Sequence, residues 1–105
     1  TLSGGEPFLQ ATALIHFVQK VKKRHLHVMI YSGYTFEEIL ELGDEEKKLL
    51  SLCDTLVDGK FILSLKSMEL LYKGSSNQRI IDIQASLKTH MVIEQEINEY
   101  GEFVF

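Results

Sequence analysis

Cysteine and long apolar runs are both scarce in this 105-residue sequence. Its only cysteine, Cys53, excludes an internal disulfide and a cluster site built from three of the chain's own thiolates, and we expect it to be a small buried residue. No apolar stretch approaches the roughly 18 residues of a membrane span. No charged-then-apolar signal segment opens the sequence. We therefore expect a cytoplasmic protein without membrane attachment.

Positive charge is also in short supply. The formal net charge of −4 argues against nucleic acid as a partner. The basic cluster between Lys20 and Arg24 falls where a helix would end, and cations there interact favourably with the helix dipole. With 45% hydrophobic and 25% charged residues the composition is that of an ordinary globular protein. We expect a single domain over residues 1–105.

Apolar periodicity predicts alternating helices and strands in the first half of the chain. Steps of three and four residues indicate a helix from Phe8 to Val21, and a nearly continuous apolar run from Leu26 to Tyr31 indicates a buried strand. A capping box at Thr35 opens a second helix, Asp44 caps a third, and Thr55 to Asp58 is a third strand, counting one at the start of the chain. This order favours an α/β fold with parallel strands.

The second half is less regular. Lys66 to Tyr72 is predicted as a short helix and Gln78 to Ile83 as a fourth strand. Residues 90–105 form a tail of uncertain structure. Met91 to Ile97 and Glu102 to Phe105 are interpreted either as an antiparallel pair or as part of a docking tail.

The opening segment Thr1 to Pro7 carries the most chemistry. It is a strand end followed by two glycines, Glu6 and a helix start. Two glycines permit positive φ and close approach of a ligand to the backbone, and Pro7 suits the first turn of a helix. This corner can hold a small cation by its amino group; the alternative interpretation is a helix-initiating turn.

Polar residues and glycines follow each predicted strand. They are Gly4 to Glu6 after the first, Tyr31 to Tyr34 after the second, and Asp58 to Lys60 after the third. In parallel sheets ligands bind beyond the carboxyl ends of the strands. A fold shaped by packing alone also puts turns there. His25 and His27 share a strand face, but no third ligand is near, so no metal site is assigned.

Four segments together resemble the activating proteins of anaerobic ribonucleoside-triphosphate reductase, in the radical S-adenosylmethionine superfamily. Thr1 to Pro7 resembles the superfamily's glycine-glycine-glutamate-proline motif, and Ile30 to Glu38 the segment after the next strand. Leu56 to Gly59 and Gly74 to Asp82 follow in the family's order. The similarity covers about residues 1–86, and ordered motifs are more specific than any one of them.

The resemblance implies a partial (βα) barrel, truncated at its amino-terminal end, that binds S-adenosylmethionine on a 4Fe-4S cluster. The radical made from it would abstract hydrogen from a glycine of the large reductase subunit, the implied partner. The diglycine turn would contact the methionine amino end, the Tyr31 loop the ribose or adenine side, and Asp58 and Lys60 the sugar hydroxyls or carboxylate. The implied cofactor-binding residues are Gly4, Gly5, Glu6, Pro7, Tyr31, Ser32, Gly33, Asp58 and Lys60.

The sequence departs from the family at the cluster. The superfamily holds it with three thiolates in a C-x3-C-x2-C loop upstream of the glycine motif, because iron needs soft anionic ligands. No such loop occurs between Thr1 and Phe105, so no metal ligand and no catalytic residue is assigned. We expect the native polypeptide to extend upstream of Thr1, and the isolated chain to bind no cluster and to cleave no S-adenosylmethionine.

An alternative function is a non-catalytic α/β docking module derived from the same barrel, which applies if translation starts at Thr1. A missing first strand beside Leu2 would also leave a sheet edge through which the chain self-associates. No electron donor is assigned. Asn77 and Gln78 have no derived role, and Arg79 either braces the sheet edge or contacts the cofactor.

Overall fold

Short helices and a three-stranded sheet make up most of the described part of the chain. The computed structural model describes residues 5–60, 62 and 77–104. A 3₁₀ turn, Pro7–Gln10, leads into the first helix. The elements are α1 Ala11–Lys22, β1 Met29–Tyr31, α2 Phe36–Ile39, α3 Asp44–Leu52, β2 Thr55–Asp58, β3 Arg79–Asp82, α4 Ile83–Thr89, β4 Glu96–Ile97 and β5 Phe103–Val104.

The three-stranded sheet has β2 in its centre. β1 pairs with β2 in parallel, with Ile30 opposite Leu56. β3 pairs with the other side of β2 in the antiparallel sense, with Ile81 opposite Leu56. The described strands therefore form a mixed sheet, with one parallel and one antiparallel pair.

The antiparallel β3 differs from the parallel order expected from the sequence. Gly59 turns the chain at the end of β2 with φ +94°. The Gln78 side chain donates to the Gly59 carbonyl at 2.9 Å and the Asn77 side chain to the Lys60 carbonyl at 2.8 Å. Because Asn77 and Gln78 bond the carbonyls that directly follow β2, β3 starts beside the end of β2. The partial barrel stays a prediction.

Each face of the sheet has its own apolar layer. Ile30, Leu56 and Ile81 are fully buried beneath the helices, where the main core also includes Leu49 and Leu50 of α3. Helices α1 and α3 pack on each other on this side. Because successive strand residues point to opposite faces, their neighbours form a second layer on the other side.

The second layer is covered by the carboxyl-terminal hairpin. Met29, Val57 and Ile80 are buried, and Ile97 and Phe103 pack against them. β4 and β5 pair in the antiparallel sense, in agreement with the first of the two interpretations of the tail. The hairpin is thus docked on the chain's own sheet.

The three helices predicted in the first half of the chain are present, with local differences. The Thr35 capping box is present at α2. Gly43, rather than Asp44, is the residue that precedes the first turn of α3. β1 begins later than predicted because the chain is still leaving α1 at His25, whose φ is 58°. The sequence did not predict α4, although Asp82 caps it by accepting the Ala85 N–H at 3.1 Å.

Some predictions fall on residues outside the described part. These are the strand at Thr1 to Ser3, the sheet edge expected beside Leu2, Gly4 of the glycine turn and the helix from Lys66 to Tyr72. Among the helices that the structure does describe, none is both long enough and apolar enough to cross a bilayer.

Candidate functional site

The Glu6 carboxylate joins the glycine turn to the loop after β1. It accepts hydrogen bonds from the Ser32 hydroxyl, with its two oxygens at 3.0 and 2.9 Å, and from the Gly33 N–H at 2.7 Å. It also accepts the Phe8 N–H at 3.1 Å and so caps the 3₁₀ turn. One carboxylate therefore fixes two segments that are 26 residues apart in sequence.

The turn before Glu6 needs glycine at position 5. Gly5 is exposed and has φ +56°, in the left-handed region that other residues adopt only with strain. Pro7 is buried at the start of the 3₁₀ turn, where its missing N–H costs nothing. The backbone at this corner is therefore exposed, and the Glu6 carboxylate next to it is fixed by hydrogen bonds.

The loop after β1 is held at several points. The Ser32 N–H donates to the Val57 carbonyl at 3.0 Å, so the ladder between β1 and β2 continues one residue beyond the strand. The Ser32 hydroxyl, on a residue that is 5% exposed, also accepts the Tyr34 N–H at 3.0 Å. The Gly59 N–H donates to the Tyr34 carbonyl at 3.1 Å. The loop is consequently fixed to both β2 and Glu6.

Lys60 lies at the edge of this corner. A Cβ built on Gly33 would meet Glu6 Oε1 at 3.5 Å and the Lys60 Cγ at 3.9 Å, so these three residues are neighbours. Lys60 itself is exposed. The corner thus combines the carboxylate of Glu6, the exposed backbone of Gly5 and the neighbouring Lys60. This combination suits a zwitterionic ligand.

Asp58 lies on the helix-covered side of the sheet. Its carboxylate is 1% exposed and accepts the Phe36 N–H at 2.8 Å, at the first residue of α2. Arg79 donates to both of its oxygens, from Nε at 3.1 Å and from Nη2 at 2.5 Å. These partners hold the Asp58 carboxylate within the protein, and a contact from Asp58 to a ligand stays a prediction.

Arg79 also reaches Glu37 in the first turn of α2, with 2.6 Å between Nη2 and Oε1. The hydrogen bonds that Arg79 donates, first to Asp58 and then to Glu37, raise the pKa of Arg79, and the bond from Arg79 lowers the pKa of Glu37. The sequence allowed Arg79 either to brace the sheet edge or to contact the cofactor. In the structure its contacts are those of a brace, to Asp58 and Glu37. No local sequence pattern pointed to this contact, because it requires the antiparallel register that places Arg79 opposite Asp58 at the end of β2.

Tyr31 follows the opposite face of the sheet. Its half-buried side chain packs against the layer formed by Met29, Val57 and Ile80, beside the hairpin. The structure therefore brings Gly5, Glu6, Ser32, Gly33 and Lys60 together. Asp58 and Tyr31 end their strands nearby, on either side of the sheet.

The residues present do not fit an iron–sulfur cluster. Cys53 is fully buried in the main core, and burial raises the pKa of its thiol to about 12, which disfavours the thiolate that iron requires. Within the described ranges, no group of three histidine, cysteine or acidic side chains is placed to hold a metal ion.

Comparison with known proteins identifies the class to which this α/β domain belongs. A family model described as a 4Fe-4S single cluster domain matches residues 1–81. The chain is therefore a member of this family, although its own residues contain a single cysteine. No solved structure matches the chain.

Particular relatives narrow the class. The anaerobic ribonucleoside-triphosphate reductase-activating protein of Haemophilus influenzae is 37% identical over 84 residues, which are 76% of this chain and 52% of that protein. Its counterpart in Vibrio cholerae is 39% identical over the same shares. That of Escherichia coli K12 is 32% identical over 74% of this chain and 51% of its own length. The chain spans about half the length of the curated relatives it matches.

Proposed function

We propose that this chain is part of a radical S-adenosylmethionine activase that generates the glycyl radical of anaerobic ribonucleotide reductase. The proposal is supported by the names of the relatives and by the 4Fe-4S family. The observation that carries it to specific residues is the corner in which Glu6 binds Ser32 and Gly33 beside the exposed Gly5.

The corner suits the methionine end of S-adenosylmethionine. A carboxylate offers about four lone-pair sites, and three donors, Phe8, Ser32 and Gly33, bind Glu6. About one site is left for an ammonium donor. Glu6 then serves mainly to fix the backbone at Gly5. That backbone and the remaining lone pair of Glu6 would together bind the amino group of the ligand.

Other site residues complete the binding surface. Lys60, next to Gly33, would pair with the ligand carboxylate, and the loop from Tyr31 to Gly33 would border the ribose or adenine. When bound and cleaved, S-adenosylmethionine would supply the radical that abstracts a hydrogen atom from a glycine of the large reductase subunit. The residues of this chain bind and orient it. The cluster ligands would come from a cysteine loop upstream of Thr1, as the family motif implies.

An anaerobic activation assay tests the proposal. A polypeptide extended upstream through the cysteine loop is reconstituted with iron and sulfide and mixed with S-adenosylmethionine, a reductant and the large reductase subunit. Electron paramagnetic resonance should then show a glycyl radical, and the 105-residue chain treated in the same way should give none. If the coding sequence upstream holds no cysteine loop, or if the 105-residue chain alone assembles a stoichiometric cluster, the proposal is wrong.

The second candidate is a non-catalytic docking module. It is favoured by one observation, the burial of the chain's single cysteine in the main core. The same assay separates the two functions, because a docking module would bind the reductase subunit in a pull-down without producing a radical.

A further inference from the structure

The loop that carries Ser32 and Gly33 is held at both ends by carboxylates, Glu6 at its start and the buried Asp58 at its end. At its start, Ser32 and Gly33 donate to Glu6. At its end, the Phe36 N–H donates to Asp58 at 2.8 Å. The position of Gly33 relative to Gly5 therefore depends on Asp58 as well as on Glu6.

Asp58 needs a cation to play this part. A carboxylate that is 1% exposed is destabilising to the fold unless it is paired. Within the described residues, the ion pair recorded for Asp58 is the one with Arg79, whose guanidinium bonds both oxygens. A planar guanidinium can make this two-point contact and a lysine ammonium cannot.

We propose that Arg79 is a positioning residue for the cofactor corner: it pairs with Asp58 and fixes its orientation, and Asp58 holds the Ser32–Gly33 loop against Glu6 through the start of α2. The inference rests on the proposed function for the identity of the ligand. The contact from Arg79 to Glu37 is an outer brace, because the Glu37 side chain is 63% exposed.

The direct test follows the Gly33 amide in ¹H–¹⁵N spectra of the 105-residue chain, because its N–H donates to Glu6. In R79Q the Gly33 signal should shift and its solvent exchange should rise about tenfold, since Asp58 loses its cation. The matched control is E37Q, which removes the outer brace alone and should leave the signal in place. R79K keeps the charge without the two-point contact and should give an intermediate shift.

A second-site variant separates positioning from a general loss of stability. In D58N/R79Q the uncharged side chain needs no cation and still offers an oxygen to the Phe36 N–H, so the Gly33 signal should return toward its wild-type position. If R79Q does not fold, the test uses the Gly33 signal of the other two variants: its return toward the wild-type position in D58N/R79Q and its partial shift in R79K. The proposal is overturned if the Gly33 signal is unchanged in folded R79Q, or if E37Q moves it equally.

Ligand binding gives the functional readout. In the extended, cluster-loaded polypeptide, R79Q should weaken S-adenosylmethionine binding by about tenfold to a hundredfold, because small misplacements of a site are that costly. E37Q should bind like the wild type, and equal binding by R79Q would overturn the positioning role. If the wild type itself does not bind S-adenosylmethionine, the proposed function fails, and the Gly33 spectra still decide the role of Arg79.

Discussion

Replacing Glu6 by alanine tests the corner in isolation from any ligand. The substitution removes the acceptor of the Phe8 N–H, the Ser32 hydroxyl and the Gly33 N–H at once. Phe8 and Ser32 are 1% and 5% exposed, but Glu6 is only half-buried, so water can partly take the place of its carboxylate. The cost is therefore smaller than the full loss of three hydrogen bonds.

Hydrogen bonds to a charged group contribute about 1.5 to 3 kcal/mol each. With partial rehydration we expect E6A to lower the free energy of unfolding by about 2 to 3 kcal/mol. The loss should reduce the melting temperature by about 10 to 15 °C for a domain of this size. Urea unfolding followed by circular dichroism, with thermal melts alongside, measures both quantities.

The matched control is E41A, which removes an exposed glutamate for which the described part of the chain records no side-chain hydrogen bond. It should stay within about 0.5 kcal/mol of the wild type, as surface substitutions usually do. An E6A variant that is as stable as E41A would show that the Glu6 contacts do not hold the two segments together.

Three further predictions concern the core and the surface. Because burial raises the pKa of Cys53 to about 12, a thiol reagent should leave the folded chain unlabelled at neutral pH and label it fully in denaturant; rapid labelling of the folded chain would contradict this burial. Leu49 is fully buried, so L49A should cost about 3 kcal/mol in urea unfolding, and a loss under about 1 kcal/mol would place Leu49 outside the core. The bond to Arg79 lowers the pKa of Glu37, so its stabilisation is present above the ordinary glutamate pKa and is lost as the pH falls through the lowered value. Urea midpoints of wild type and E37Q should therefore differ slightly at neutral pH and converge in acid, and a gap that persists in acid would contradict the ion pair.

Local patterns in the sequence were enough to predict most of the described elements. The apolar steps of α1 and the capping box at Thr35 depend on neighbouring residues alone, and both are confirmed. β2 is likewise found over the residues predicted for it, Thr55–Asp58. The direction of β3 was not predictable in this way, because it depends on contacts between Gln78 and Gly59.

The corner was predictable in part. The glycine turn and the loop after β1 were both identified, because ligands bind beyond the carboxyl ends of parallel strands, where glycines and polar residues collect. That the Glu6 carboxylate itself would join them was not, since hydrogen bonds between segments 26 residues apart leave no local pattern. The partnership of Arg79 with Asp58 requires the antiparallel register of β3, which the expected parallel order concealed.

The central claim is that the Gly5–Glu6 turn and the Ser32–Gly33 loop together bind S-adenosylmethionine. A crystal structure of the extended, cluster-loaded polypeptide with this ligand tests it most directly. The account predicts that the methionine end lies against these two segments with Lys60 beside it. A ligand bound elsewhere, for example in the 350 Å³ pocket between α2 and α4 that Phe36 and Leu87 line, would contradict it.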